Sequence, residues 1–129
     1  MAQNELKVQI AVVNWIKYNF PNILYCASAG GMRTSLSIAK KMKASGYVKG
    51  FPDLVIFHPT PKYHGMFIEL KADKKGYATK EQKEWIKNLN DLGYYACVSK
   101  GFDNTIEEIF KYLNQTDTMK TGLYRENEK

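Results

Sequence analysis

The sequence contains little arginine, and this shortage narrows the kinds of contact that its basic surface can make. Arg33 and Arg125 are the only arginines among the 129 residues, so lysine supplies nearly all of the positive charge behind a formal net charge of +6. Lysine is a compact, hydrated charge that suits phosphate contacts better than bidentate reading of bases. The composition therefore favours contact with a phosphate backbone, although any single lysine can equally belong to an ordinary solvated surface.

Cysteine is also scarce. Cys26 and Cys97 are the two cysteines, and both lie inside apolar segments that have the pattern of strands. Cysteines in such positions usually behave as small core residues of proteins from a reducing compartment. We therefore predict two buried free thiols, with a disulfide as the alternative. Neither cysteine has the spacing of a zinc site.

Long hydrophobic runs are absent. No apolar run in the sequence reaches the length of a membrane-spanning helix, which needs about 20 residues. The first residues also lack the basic start and apolar stretch of a secretory signal peptide. We expect a cytoplasmic protein that has no membrane partner.

The length and composition are those of one globular domain, with 44% hydrophobic and 25% charged residues. Apolar periodicity continues as far as Leu113, whereas residues 115–129 are polar and lack a strong pattern. We predict a folded domain at residues 1–114 and a mobile polar tail at residues 115–129.

Hydrophobic periodicity and turn signals divide the domain into helices and strands. Helical patterns predict helices at residues 4–19, 34–45, 79–92 and 103–113. Short apolar or alternating runs predict strands at residues 23–28, 54–57, 66–71 and 94–99. The first and last strands are both predicted to be buried, the last because its apolar run is nearly continuous. This order favours an α/β fold in which a central mixed β-sheet is flanked by helices.

The most informative segment runs from Gly50 to Gln82. Asp53 comes immediately before one predicted strand, and Glu69 and Lys71 lie two positions apart on the next strand. Side chains alternate between the faces of a strand, so Glu69 and Lys71 share a face. The connection is short enough for a hairpin, which would place Asp53 near Glu69 across the sheet.

Two carboxylates beside an ammonium group at the ends of apolar strands are costly unless a partner compensates them. A hard divalent cation with oxygen ligands is the natural partner. The sequence therefore predicts a cation site at Asp53 and Glu69.

Gln82 and Glu5 each have a structural explanation beside any functional one. Residues 79–82 match a capping box, in which the Gln82 side chain bonds back to the first amide of the helix. The alternative is that Gln82 points into the site and orients water, lysine or phosphate. Glu5 lies in the first turn of a predicted helix, where a carboxylate interacts favourably with the helix dipole.

The pairing of Pro52-Asp53 with Glu69-Leu70-Lys71 resembles the PD-(D/E)XK nuclease superfamily. The fuller pattern is Gly-x-Pro-Asp-Leu, then Glu-x-Lys on the next strand, then a glutamine on the following helix. That pattern looks like the VRR-NUC branch of the superfamily. The resemblance extends to Glu5 and to residues 30–33, and it covers roughly residues 5–113.

The resemblance implies a restriction-endonuclease-like core and a Mg²⁺- or Mn²⁺-dependent deoxyribonuclease. Asp53, Glu69 and the backbone carbonyl of Leu70 would hold the metal, with Glu5 as a further acid. Lys71 would either help to remove a proton from the attacking water or stabilise the developing charge on the phosphate. Gln82 would complete the catalytic set.

Basic residues are concentrated around the acidic stretch, and together they favour contact with nucleic acid. The candidate DNA-binding residues are Arg33, Lys40, Lys49, Lys74 and Lys75. Arg33 follows a pair of glycines, where a close approach to phosphate is possible; the alternative is a solvated loop arginine.

Free-standing members of the family are similar to Holliday-junction resolvases and often occur in phages. The resemblance thus implies cleavage of branched or flapped DNA, a role in DNA repair, and a bacterial or phage-infected cell. A resolvase cuts two strands, so we expect a homodimer, with Tyr94, Tyr112 and Tyr124 as candidate interface residues.

Two other classes of function are compatible with the sequence. One is a non-catalytic nucleic-acid-binding module that retains a nuclease fold. The other is a metal-dependent hydrolase of a small phosphate ester. The complete set of Asp53, Glu69 and Lys71 argues against the first class, and the surplus of lysine argues against the second.

Overall fold

The protein is described here by a computed structural model, which covers residues 3–28 and 35–114. Helices and strands follow one another in the predicted order. In chain order they are α1 (Gln3–Asn19), β1 (Tyr25–Ala27), α2 (Leu36–Ala44), β2 (Leu54–Ile56), β3 (Met66–Lys71), α3 (Lys80–Asp91), β4 (Tyr95–Lys100) and α4 (Phe102–Asn114). The predicted tail at residues 115–129 lies outside the described residues.

The strands form one mixed sheet with the spatial order β1-β2-β3-β4. β1 pairs with β2 and β2 with β3 in antiparallel fashion, so the predicted hairpin is confirmed. β3 and β4 are parallel, and α3 forms the crossover between them. The prediction of an α/β fold with a mixed sheet flanked by helices is therefore confirmed.

The main core lies between the sheet and the pair α1 and α4. Alternation along β3 directs Met66, Ile68 and Leu70 to this face, where they are fully buried. The α1 side chains that complete this core are Val12 and Ile16. The same alternation leaves the side chains of residues 67, 69 and 71 on the opposite face.

A smaller aromatic cluster attaches α3 to that opposite face. The ring of Phe51 makes edge contacts with Phe67, at 6.0 Å between centroids, and with Trp85 of α3, at 5.0 Å. The indole nitrogen of Trp85 also donates a hydrogen bond to the carbonyl oxygen of Lys49, at 3.1 Å. These contacts hold the first half of α3 against the segment that leads into β2.

Gly50 permits this close approach. Its φ angle is +94°, and a Cβ atom at this position would lie only 2.7 Å from the backbone carbonyl carbon of Glu81 in the first turn of α3. Gly46 has a similar φ of +113°, but a Cβ atom there would meet nothing within 4 Å. The two glycines thus share a backbone conformation that would strain any other residue, and they differ in the space around them.

This difference predicts unequal effects of the same substitution. Gly46→Ala should lower the free energy of unfolding by about 1–2 kcal/mol, because alanine is strained at positive φ. Gly50→Ala should cost roughly 1–3 kcal/mol more, because the new methyl group also collides with α3. Urea unfolding of both variants measures the difference, and equal losses would contradict the close approach.

The prediction that β1 is buried was wrong, and so was the prediction that Cys26 is a core residue. Cys26 is exposed, because β1 is a short edge strand of the described sheet and pairs with β2 on one side alone. β4 is the opposite edge strand of the described sheet and is only partly buried. Cys97 on β4 is partly buried, and both thiols are free.

The two thiols should therefore differ in reactivity. Burial, together with the nearby Glu108 carboxylate, raises the pKa of Cys97 to about 12, so little of its reactive thiolate exists at pH 8. A disulfide reagent should react rapidly with Cys26 in the folded protein and with Cys97 only in denaturant. The Cys26→Ser variant should lose this rapid phase of the reaction with the reagent. If that variant kept the rapid phase, the assignment of the exposed thiol would be wrong.

Tyr112 is a core residue and does not lie at an interface. It is 1% exposed, and its hydroxyl group donates a hydrogen bond to the carbonyl oxygen of His58, at 2.7 Å. Tyr94 is partly buried and packs against Phe67. Tyr124 lies outside the described residues, so its predicted interface role stays a prediction.

No helix within residues 3–28 and 35–114 has the length and apolar character needed to cross a membrane.

Candidate active site

Asp53 stands at the point where the chain enters β2, and it is buried. Its Oδ2 atom accepts a hydrogen bond of 2.8 Å from the backbone N–H of Leu70 on β3. Burial raises the pKa of Asp53, and this hydrogen bond opposes the rise because it favours the charged form. The contact places Asp53 beside Glu69 across the sheet, as the hairpin predicted.

Glu69 is the more deeply buried of the two carboxyl groups, with 2% of the residue exposed. Its Oε2 atom lies 3.3 Å from the Nζ atom of Lys71, while its Oε1 atom is buried and accepts no hydrogen bond from a donor group. The Asp53 carboxyl group is within hydrogen-bonding reach of Glu69, but two ionised carboxylates cannot satisfy each other. Burial and the adjacent Asp53 carboxylate raise the pKa of Glu69 to about 8, against the opposing effect of Lys71. A buried carboxylate oxygen without a partner costs free energy that a bound cation would recover.

Lys71 connects the acidic groups. Its Nζ atom lies 3.3 Å from Glu69, 3.7 Å from the Oε1 atom of Glu5, and 3.1 Å from the Oε1 atom of Gln82. Gly76 packs against the aliphatic part of this lysine, since a Cβ atom at residue 76 would lie 2.8 Å from the Lys71 Cβ atom. The lysine is thus held in place along its length.

Gln82 takes part in the capping box and also points toward Lys71. Its Oε1 atom accepts a hydrogen bond of 2.8 Å from the backbone N–H of Thr79, which completes a capping box at the start of α3. The same oxygen accepts the hydrogen bond from Lys71. One side chain therefore joins the helix cap to the ammonium group.

Glu5 reaches the site from α1. It lies in the first turn of that helix, as predicted, and its carboxylate faces Lys71 at 3.7 Å. Glu5 can therefore interact with the helix dipole and with the site at once.

The basic residues are distributed unevenly around this cluster. Lys49 lines a small cavity of about 160 Å³ together with Asp53 and Gln82. Lys74 and Lys75 are exposed in the loop that contains Gly76. Lys40 is exposed on α2, a helix that has no buried residue. Arg33 lies outside the described residues, so its predicted phosphate contact stays a prediction.

Tyr47 is a site residue that the sequence did not indicate. It lines the same cavity, and its pKa is raised by burial and by the negative charges of Asp53 and Glu69. Its hydroxyl group therefore stays protonated in the neighbourhood of the carboxylates. The only sequence signal was its place two residues before Lys49, between two glycines.

The donor set fits a hydrated hard cation. Among the residues that the structure describes, no three His, Cys, Asp or Glu side chains are grouped closely enough to hold an ion alone. Mg²⁺ keeps several of its waters and usually binds only one or two protein carboxylates. Asp53 and Glu69 supply that number, and the unpartnered Oε1 atom of Glu69 has the chemistry of a ligand for such an ion.

Comparisons with known proteins identify the family and the fold. The family model described as the VRR-NUC domain matches residues 2–103. A solved structure titled "VRR_NUC domain protein" is 35% identical, covers 90% of this chain and 93% of its own, and superimposes with a TM-score of 0.75. A second, titled "VRR_NUC domain", is 19% identical with a TM-score of 0.59, covers 86% of this chain and 99% of its own, and supports the fold alone. No curated protein matched the chain.

The fold is thus that of a nuclease-type α/β domain. The chain belongs to the VRR-NUC family.

Proposed function

We propose that this protein is a metal-dependent deoxyribonuclease. It would hydrolyse phosphodiester bonds in an active site formed by Asp53, Glu69 and Lys71. The observation that carries the proposal is the buried, unpartnered Oε1 atom of Glu69, which lies in a carboxylate pair beside an ammonium group. A module that only bound DNA would gain nothing from buried acids that repel phosphate.

Asp53, Glu69 and the backbone carbonyl of Leu70 would hold Mg²⁺ or Mn²⁺, with Glu5 close by. The backbone N–H and C=O groups of a strand residue point to the same side, and the N–H group of Leu70 already meets Asp53. When bound, the metal would supply Lewis-acid activation of water and neutralise charge on the phosphate.

Lys71 provides the second part of the chemistry. Its ammonium group is placed by Gln82 and by Gly76 rather than left to move in solvent. A cation fixed beside the carboxylates can stabilise charge on the phosphate, and its neutral form could accept a proton from water. Tyr47 and Lys49 extend the site toward further phosphate oxygens.

Gln82 allows a test that separates the helix cap from the catalytic site. Gln82→Glu keeps the capping box, since glutamate also suits this position, but it adds negative charge beside Lys71. We expect an unchanged melting temperature and a cleavage rate reduced roughly 10-fold or more, because Lys71 and the phosphate are displaced.

The reciprocal control is Thr79→Ala, which removes the Oγ1 atom that accepts the backbone N–H of Gln82 at 3.2 Å. It should lower stability by about 1 kcal/mol and reduce the cleavage rate of the folded protein far less than Gln82→Glu does, because the backbone N–H of Thr79 can still bind Gln82. Normal cleavage by a well-folded Gln82→Glu variant would limit Gln82 to the helix cap.

The proposed substrate is branched or flapped DNA, and the proposed assembly for paired cuts is a homodimer. One site of this kind cuts one strand, and a two-fold dimer offers two sites to a two-fold junction. Sedimentation equilibrium with and without a four-way junction tests the assembly. A mass that stays near the 14.8 kDa of one chain would contradict paired cutting and leave a nuclease that cuts single strands or flaps.

The function itself is tested by a panel of labelled linear, nicked, flapped and four-way DNA, each incubated with Mg²⁺ and with a chelator. We expect cleavage with Mg²⁺ alone, and more of it on branched or flapped DNA than on linear duplex. Salt-dependent binding without cleavage would instead indicate a binding module. If the protein hydrolysed a small phosphate ester in a parallel assay and none of the DNA substrates, it would instead be a metal-dependent hydrolase of small phosphate esters.

A further inference from the structure

Tyr77 is the most exposed aromatic side chain of the described residues, with 79% of the residue accessible. It lies in the loop between β3 and α3, in the segment that contains Lys74, Lys75 and Gly76. A tyrosine that served the core would bury its ring, as Tyr112 does. The ring of Tyr77 therefore does not contribute to the core and is available for contact with a ligand.

The ring of Tyr77 is connected to the proposed active site through Lys100. The Nζ atom of Lys100 lies 5.0 Å from its centroid, within the range of a cation–π contact. Lys100 is the register partner of Lys71 in the parallel pair of β3 and β4. Register partners lie on the same face, roughly 4.8 Å apart. Tyr77 thus contacts the side chain of the residue that neighbours Lys71 across the sheet, and it directly follows Gly76, which packs on Lys71.

The loop that carries Tyr77 is ordered by its own hydrogen bonds. The Asp73 side chain accepts the backbone N–H of Lys75 at 2.8 Å, and the Asp73 carbonyl accepts that of Gly76 at 3.2 Å. Gly76 packs on Lys71, and Thr79 is bonded to Gln82. The ring is therefore presented by a segment that is attached on both sides to the site.

The chemistry of this surface fits an unstacked nucleotide. Lys74, Lys75 and Lys100 supply positive charge for phosphates, and the ring of Tyr77 supplies an apolar face. Aromatic rings beside basic residues bind single-stranded nucleic acid by stacking with the bases. The bases of a continuous duplex are already stacked on one another and present no free face.

We propose that Tyr77, supported by Lys100, is a stacking platform for an unpaired base next to the scissile phosphate. This inference rests on the proposed nuclease function and narrows its substrate class to DNA that carries unpaired nucleotides, such as a flap, in preference to continuous duplex. Tyr77 determines substrate choice here and takes no part in the bond-breaking step.

The test measures binding in the presence of chelator, so that no cleavage is needed. A flapped DNA carries 2-aminopurine, a fluorescent base that is quenched on stacking, at the first unpaired position. Wild-type protein should quench it. Tyr77→Leu should lose the quenching and raise the Kd for the flap on the order of 10-fold, as expected for one lost stacking contact. Tyr77→Phe, which keeps the ring, should behave like the wild type.

Two controls make the result specific. Tyr18 is another exposed tyrosine, at 60%, near the far end of α1, and Tyr18→Leu should leave the Kd and the quenching unchanged. The Kd for continuous duplex should be the same for the wild type and Tyr77→Leu.

Three results would overturn the platform: equal flap affinity of the wild type and Tyr77→Leu, an equal loss of affinity for flap and duplex, or no saturable binding of flapped DNA by the wild type. Failure of the nuclease proposal would look different. The wild type would then cleave no DNA with Mg²⁺, whatever the binding and quenching in chelator.

Discussion

Glu69→Gln is expected to reduce the single-turnover rate of DNA cleavage on the order of 10³-fold while the protein stays folded. Glutamine has the shape of glutamate but is neutral, and its nitrogen cannot serve as a ligand. The substitution therefore removes the charge at the buried pair and can replace the unpartnered Oε1 atom by an amide nitrogen. Asp53→Asn should have a similar effect, since asparagine can still accept the hydrogen bond from Leu70.

The stability of this variant should separate loss of chemistry from loss of fold. In chelator, its melting temperature should not fall below that of the wild type, because one of two buried, mutually repelling carboxyl groups is gone. Added Mg²⁺ should raise the melting temperature of the wild type and not that of Glu69→Gln, because only the wild type binds it well.

Glu107→Gln is the matched control for Glu69→Gln. It makes the same chemical change at an exposed position of α4, where the carboxylate meets Lys111 at 3.0 Å. Its cleavage rate should equal that of the wild type. A folded Glu69→Gln variant that cleaved as fast as this control would show that the carboxylate pair is not the active site.

Lys71→Met is expected to lower the cleavage rate by roughly 10²–10⁴-fold, the usual range for a group that transfers a proton in the transition state. Methionine preserves much of the aliphatic part that packs on Gly76 but carries no ammonium group. Binding of flapped DNA should survive, because many other lysines contribute to it. A normal rate with weakened binding would make Lys71 only a phosphate contact.

Lys71→Arg distinguishes the two chemical roles of this residue. Arginine keeps the positive charge near Glu5 and Glu69 but cannot be deprotonated in a protein. A charge-stabilising Lys71 predicts that the arginine variant retains much of the rate lost in Lys71→Met. A base predicts that both variants are equally slow. Quenched-flow measurement of single turnovers resolves these outcomes.

The centre of the site was predictable because local rules determine it. Alternation along β3 places Glu69 and Lys71 on one face, and a short hairpin brings Asp53 opposite them. Both rules depend on residues close together in the sequence. The contact of Lys71 with Gln82 was one of two alternatives, and the structure realises both, because one oxygen accepts two hydrogen bonds.

Burial was harder to predict than position, because it depends on neighbours that are distant in the sequence. β1 carries the apolar residues of a central strand, but it lies at an edge and leaves Cys26 exposed. In α1, Leu6 and Ile10 are exposed, whereas Val12 and Ile16 face the core. The apolar residues of α1 are spread around most of its circumference, so periodicity alone did not determine which face is buried.

Tyr47 and Tyr77 were missed for a related reason. Neither belongs to a motif, and each matters only through what the fold places beside it. Tyr47 approaches Asp53 because Gly50 lets the preceding loop close against α3. Tyr77 contacts Lys100, which the parallel pairing of β3 and β4 places beside Lys71, a pairing that the sequence did not specify.

Binding of Mn²⁺, followed by the loss of the electron paramagnetic resonance signal of the free ion, tests the cation site most directly. Titrated with Mn²⁺ in the absence of DNA, the wild type should bind the ion in a saturable way, and Glu69→Gln should bind it much more weakly. Glu107→Gln should match the wild type. Equal Mn²⁺ binding by the wild type and Glu69→Gln would contradict the assignment of Asp53 and Glu69 as the cation site.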